Sequence, residues 1–364
     1  MTATKVMTHP SETPAPTGTM KALVYGGPGK KTLEDRPRPT LLKPTDAVVK
    51  VAKTTICGTD LHILKGDVPS CEPGRILGHE GVGVVESVGT AVTEFNPGDR
   101  VLISCITSCA KCAACKKGMY SHCSDGGWIL GHLIDGTQAE YVRIPHADTS
   151  LHPIPPGSDE EALVMLSDIL PTGYECGVLN GKVEPGATVA IVGAGPVGLA
   201  ALLTAQFYSP AQIIVIDVDD NRLATAKRLG ATVVVNNVDG KAAESVMQIT
   251  GGRGVDTAIE AVGVPATFGV CEAIVAAGGT LANIGVHGKK VDLHLERLWS
   301  HNIALTTRLV DTVTTPLLLR TVEAKKIDPK LLITHHFRHA DTLEAYDTFG
   351  RAAATKALKV IVDI

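Results

Sequence analysis

Four thiols fall within fifteen residues, Cys109, Cys112, Cys115 and Cys123, spaced C-x2-C-x2-C-x7-C. Thiolates on such short spacers can curl around one tetrahedral ion, and zinc is the metal this donor set suits. An iron–sulfur cluster is the competing metal. Buried free thiols are the plain alternative, but core cysteines do not crowd in this way. Cys71, Cys105, Cys176 and Cys271 lack such company and read as small apolar core residues. A second group lies earlier and is more dispersed. Cys57-Gly58-Thr59-Asp60-Leu61-His62 offers a thiolate, a hydroxyl, a carboxylate and an imidazole, and Gly78-His79-Glu80-Gly81 adds an imidazole and a carboxylate. Each is weak alone. Together they look like half of an open metal site, where three protein ligands leave a fourth position for water or substrate. The third ligand must come from farther along the chain.

A nucleotide-like signal follows. Residues 189–192 read as a strand running into Gly193-Ala194-Gly195-Pro196-Val197-Gly198 and then a helix over 199–208. A further strand, 213–216, ends at Asp217, 24 residues after the first glycine. In that strand–turn–helix setting G-x-G-x-x-G is a dinucleotide fingerprint rather than a chance turn. The glycines let backbone approach the ligand, the helix N-terminus faces the pyrophosphate, and Asp217 accepts from the adenosine ribose hydroxyls. Such a carboxylate selects NAD over NADP, whose 2′-phosphate it would repel. Strand-like runs recur at 232–235, 255–260, 280–286 and 303–307 with helical stretches between, the alternation of a doubly wound parallel sheet.

The rest of the chain must position these groups. Its 364 residues suggest two domains. With 34 Lys+Arg against 38 Asp+Glu, the net charge of −4 lacks the basic excess of a nucleic-acid binder. A zinc-ribbon of that kind would have only Lys111, Lys116 and Lys117 near the thiol loop. At 44% hydrophobic residues the chain can bury a large core. Residues 1–19, rich in Thr and Pro, read as a flexible extension without the apolar stretch of a secretory signal. Nine cysteines then point to a reducing, cytoplasmic setting. Residues 185–216 carry no charge and are long enough to span a bilayer, but the glycine turn breaks them in the middle. No membrane partner is expected.

Cys57 and Thr59, Gly78-His79-Glu80, the four-thiol loop and the glycine fingerprint together resemble the zinc-dependent alcohol dehydrogenases of the medium-chain dehydrogenase/reductase family. The resemblance runs from Met20 to Ile364. Within 166–173 Asp168 stands where many relatives keep a cysteine ligand, as in a bacterial branch favouring secondary alcohols. The implied α/β architecture is a GroES-like, mostly-β catalytic domain over 20–172 and 312–364, with a Rossmann domain, a doubly wound parallel sheet, over 173–311.

The resemblance also implies roles. Cys57, His79 and Asp168 would hold a catalytic zinc, with Glu80 an alternate ligand, and the four-thiol loop a structural zinc, giving two Zn2+ per chain. The metal would acidify a small alcohol, which would lose hydride to NAD and leave as an aldehyde or ketone. Thr59 would pass the proton through the nicotinamide ribose to His62, and Asp60 would orient His79. Thr172 and Ile284-Gly285-Val286 would lie by the nicotinamide, Arg222 by the adenosine and Lys359 at the pyrophosphate. Trp128 would either wall the substrate pocket or fill the core, and His335 and His336 would be structural. A homotetramer is the implied assembly. A polyol or sugar dehydrogenase with the same zinc chemistry is the alternative enzyme, and a non-catalytic zinc- and nucleotide-binding protein the alternative outside enzymes.

Overall fold

The computed structural model describes residues 18–364. The expected extension thus lies outside the described residues up to position 17, while Thr19 already belongs to the first strand. That strand, β1 (Thr19–Tyr25), pairs antiparallel with β2 (Lys31–Pro37). Five more follow: β3 (Ala47–Thr55), β4 (Gly81–Val88), β5 (Arg100–Ile103), β6 (Tyr141–Ile144) and β7 (Leu151–Pro153). Next come β8 (Thr188–Val192), β9 (Gln212–Asp217), β10 (Val233–Asn236), β11 (Val255–Glu260), β12 (Val275–Asn283) and β13 (Ala304–Thr307). The chain ends with β14 (Ile333–Arg338) and β15 (Lys359–Asp363).

Two sheets organise the molecule. β8 to β13 form a six-stranded parallel sheet in the order β10-β9-β8-β11-β12-β13. Its strands are near-continuous apolar runs, as expected where helices cover both faces of a parallel sheet. The order reverses between β8 and β11, and such a reversal opens a crevice at the carboxyl ends of those strands. The other sheet runs β14-β15-β3-β4-β5-β7, with β6 also on β3. Here β15 pairs antiparallel with β3, so the last strand of the chain rejoins the sheet that the first part built. The parallel sheet is an insertion between them. This is the GroES-like plus Rossmann arrangement.

The uncharged run resolves into β8, the glycine turn and the buried helix Pro196–Ala205. Among the described residues no helix is long and apolar enough to cross a membrane. This helix starts three residues before the expected 199, because proline at its first turn pre-sets the helical φ. The larger correction concerns 280–286. β12 begins at Val275 and stops at Asn283. Ile284 and Gly285 turn their N–H groups onto Glu260 O (2.8 and 3.1 Å), which ends the ladder and frees 284–286 as a loop. One apolar cluster joins both sheets: Val82 and Leu102 pack with Ile169, Leu170, Leu199 and Ile361. The short helix Ile169–Thr172 thus sits at the seam between the domains.

Candidate active site

The thiol loop is folded by local hydrogen bonds. Cys109 N–H donates to Cys123 Sγ (3.2 Å) and Cys115 N–H to Cys112 Sγ (3.4 Å). All four sulfurs lie within 4.8 Å of one another. Backbone N–H groups of Cys115 and Ser124 pull the Cys112 thiol down to about 5, whereas burial pushes Cys115 up to about 12. Four sulfurs at this spacing, with amides aimed at them, fit a tetrahedral ion that requires thiolates.

The second cluster is assembled from three distant segments. Cys57 caps the helix Gly58–Lys65, held there because its N–H donates to Asp60 Oδ2 (2.9 Å). His79 and Glu80 lead into β4 just after Gly78, whose φ of 91° and tight contact with Gln138 leave no room for a side chain. Asp168 precedes the helix Ile169–Thr172 and accepts from Thr172 Oγ1 (2.6 Å). One donor atom from each of Cys57, His79, Glu80 and Asp168 lies within 4.8 Å of the others. His79 Nε2 is 3.3 Å from Asp168 Oδ2, and Cys57 Sγ is 3.6 Å from the same oxygen.

The electrostatics suit a cation. Burial pushes the Cys57 thiol up. Burial opposes the His79 imidazolium, yet Asp168 and Cys57 beside it raise it well above its ordinary value. Burial also opposes the Asp168 carboxylate, but His79 and Thr172 hold it well below the usual range. His79 Nδ1 and Asp60 Oδ1 stand 3.9 Å apart, too far for a hydrogen bond, and both are buried without a partner, as is Glu80 Oε1. A thiol, an imidazole and carboxylates buried together are costly unless a positive charge offsets them. The donor set fits zinc.

Cys57, His79 and Asp168 form the floor of a cavity of about 320 Å³ between the domains. Thr59, His62, Thr172 and Trp128 line it from the catalytic side, and Gly195, Pro196, Val197, Ile284, Gly285 and Val286 from the Rossmann side. The fingerprint glycines divide the work there. Gly193 adopts φ 109°, Gly195 faces open space, and a Cβ on Gly198 would sit 1.9 Å from Gly193 O. Asp217 ends β9 beside the turn, its Oδ2 accepting from Ala194 N–H (2.6 Å) and its Oδ1 from Val218 N–H (2.7 Å). Trp128 both walls the cavity and packs against the buried clusters beneath it, its ring stacking on His132 at 4.3 Å and standing edge-on to His79 at 6.4 Å.

Two residues expected at the cofactor have other partners or surroundings. Lys359 does not present its ammonium to the glycine turn. It is 1% exposed, and Nζ lies 2.5 Å from Glu80 Oε2, which also accepts from Thr55 Oγ1. The reason is β15: pairing with β3 drops residue 359 beneath the ligand cluster. Arg222, on the helix Asp220–Arg228, faces a separate cavity of about 260 Å³ together with Arg228 and Lys356. His335 and His336 lie on β14, away from either cluster.

Sequence reasoning also missed residues. Cys105, read as an isolated core thiol, lines the cavity and puts Sγ 3.7 Å from Asp168 Oδ1. Cys176 and Arg308 line it too. Nothing in their local sequence marks them. Asp67 had a faint signal, an acid directly after the helix-ending Gly66, and its Oδ2 is 2.9 Å from His62 Nδ1.

The comparisons agree with this geometry. An "Alcohol dehydrogenase GroES-like domain" model matches residues 43–156 and a "Zinc-binding dehydrogenase" model residues 196–323. An alcohol dehydrogenase of Cupriavidus necator is 38% identical over 92% of this chain and 96% of its own length. An NADP-dependent isopropanol dehydrogenase of Thermoanaerobacter brockii is 34% identical over 83% of this chain and 88% of its own. Among solved structures, the apo form of zinc-dependent alcohol dehydrogenase 2 from Streptococcus pneumonia superposes with a TM-score of 0.91 at 57% identity. It covers 94% of this chain and 98% of that one.

Proposed function

The chain belongs to the zinc-dependent alcohol dehydrogenase family, and we propose that it reversibly oxidises a small alcohol to an aldehyde or ketone with NAD as hydride acceptor. The observation that carries this is the meeting of Cys57, His79 and Asp168 on the floor of a cavity whose other wall is the glycine turn. Bound there, zinc supplies a Lewis acid that acidifies the hydroxyl, and the nicotinamide accepts hydride.

The chain's own residues do the rest. Cys57, His79 and Asp168 would hold the metal at the floor of the cavity, where an alcohol oxygen can reach it. Lys359 and Thr55 grip Glu80 by one oxygen, leaving Oε1 as the alternate ligand. Ile106, Trp128 and Val310 exclude water and offer the substrate an apolar wall. Thr59 and His62, one helical turn apart, receive the proton. The thiol loop holds a second, structural zinc. Asp217 selects NAD, although the Thermoanaerobacter relative is named for NADP. The exposed edge of β13 supports a homotetramer, and nine free thiols support a reducing, cytoplasmic setting.

A substrate panel tests the reading. Cofactor reduction should be fastest with ethanol, 2-propanol or 2-butanol and slow with a polyol, whose extra hydroxyls face the mainly apolar wall of Ile106, Trp128 and Val310. A polyol preferred over every simple alcohol would establish the alternative.

A further inference from the structure

The contact between His62 and Asp67 has a construction that the assigned chemistry does not require. Residues five apart on a helix point about 140° away from each other. Here the helix Gly58–Lys65 stops between them. Gly66 turns left-handed at φ 86°, its N–H bonds to Ile63 O (2.9 Å), and Asp67 N–H bonds back to His62 O (3.0 Å). This is a Schellman closure. It returns Asp67 to His62, so the two residues are joined once through backbone and again through Nδ1 and Oδ2 at 2.9 Å.

A carboxylate has only acceptors, so the shared hydrogen is carried on Nδ1, and Nε2 is left with a lone pair. The His62 ring lines the cavity that holds Cys57 and Thr59. Its side chain is 28% exposed and that of Asp67 42%, so the pair marks the rim where cavity meets solvent. We propose that Asp67 is the positioning residue of His62, fixing the imidazole in the Nδ1–H tautomer with Nε2 ready to take the proton that alcohol oxidation releases. The alcohol O–H bond breaks, an N–H bond forms at Nε2, and the proton passes from the imidazolium to bulk water. Asp67 stabilises that cation without itself being protonated. The inference rests on the reading of His62 as proton acceptor.

The test uses the full-length enzyme labelled with 15N-histidine, with His62→Gln identifying the His62 signals. The wild type should show a protonated Nδ1 and a pyridine-like Nε2. Asp67→Ala should release this tautomer, lower kcat about tenfold and leave KM for alcohol within about twofold. Asp67→Glu should restore the tautomer and most of kcat, and Asp67→Asn, which keeps the helix closure, should behave like the alanine variant. An Asp67→Ala enzyme that retains the Nδ1–H tautomer overturns the proposal. Full kcat in His62→Gln would instead remove His62 as acceptor, while the tautomer measurement still decides whether Asp67 fixes the ring.

Discussion

His79 Nε2 stands 3.3 Å from Asp168 Oδ2 across 89 residues of sequence, and both side chains are largely buried, 3% and 13% exposed. The contact brings one side of β4 against the seam helix that follows Asp168, and it places a carboxylate among the other donors of the cluster.

Asp168→Ala should therefore remove one zinc per chain and lower turnover by at least 100-fold, while the fold survives. Metal analysis should fall from about two zinc ions to about one. Cys112→Ser should act differently, destabilising the protein through the thiol loop. A chelator should strip the Asp168 ion first, because an open position exchanges faster than four thiolates. Full turnover from enzyme carrying a single zinc would contradict the assignment.

The proposed cofactor choice rests on Asp217. Hydrogen bonds from a ribose hydroxyl to a carboxylate contribute roughly 1.5–3 kcal/mol, and a 2′-phosphate beside it is repelled. NAD should be preferred over NADP by on the order of 100-fold in kcat/KM. Asp217→Gly should narrow that ratio at least tenfold. The measurement is a side-by-side kinetic comparison, and an NADP preference in the unmodified enzyme would show that the carboxylate does not face the ribose.

β13 closes one edge of the parallel sheet with Leu305 exposed, and Trp299, just ahead of it in the chain, is 79% exposed. An open strand edge beside apolar surface is removed by two-fold pairing with another copy. Two such dimers pairing again give the proposed tetramer, and sedimentation at micromolar concentration should give about four times the 38.0 kDa chain. Trp299→Glu with Leu305→Lys should reduce the mass, and a monomeric wild type would refute the assembly.

His152, on β7, is pushed down to about 4 by burial. Its unfolded value is near 6.5, so the unfolded chain binds a proton that the folded chain refuses. Stability from this group is complete above pH 6.5 and declines as pH falls toward 4. Between pH 7 and pH 5 the loss is at most about 2 kcal/mol. His152→Gln should show a shallower decline in urea midpoint over that interval, and an unchanged slope would show the ring is not held neutral.

Local spacing determined much of this protein. The thiols at 109, 112, 115 and 123 meet because fifteen residues cannot carry them far apart, and the Gly193–Gly198 turn works because φ, close approach and the helix start are short-range properties. The periodicity of the apolar runs gave the parallel sheet for the same reason. Asp168 was reached only through family resemblance, since 111 residues separate it from Cys57. What the fold alone decided involves longer returns. Lys359 meets Glu80 across 279 residues because β15 zips onto β3, turning an expected phosphate contact into a buried ion pair. Cys105 joins the cavity wall because the seam helix brings Asp168 over it. Strand pairing across such distances depends on burial summed over the whole chain, and no window of sequence contains that sum.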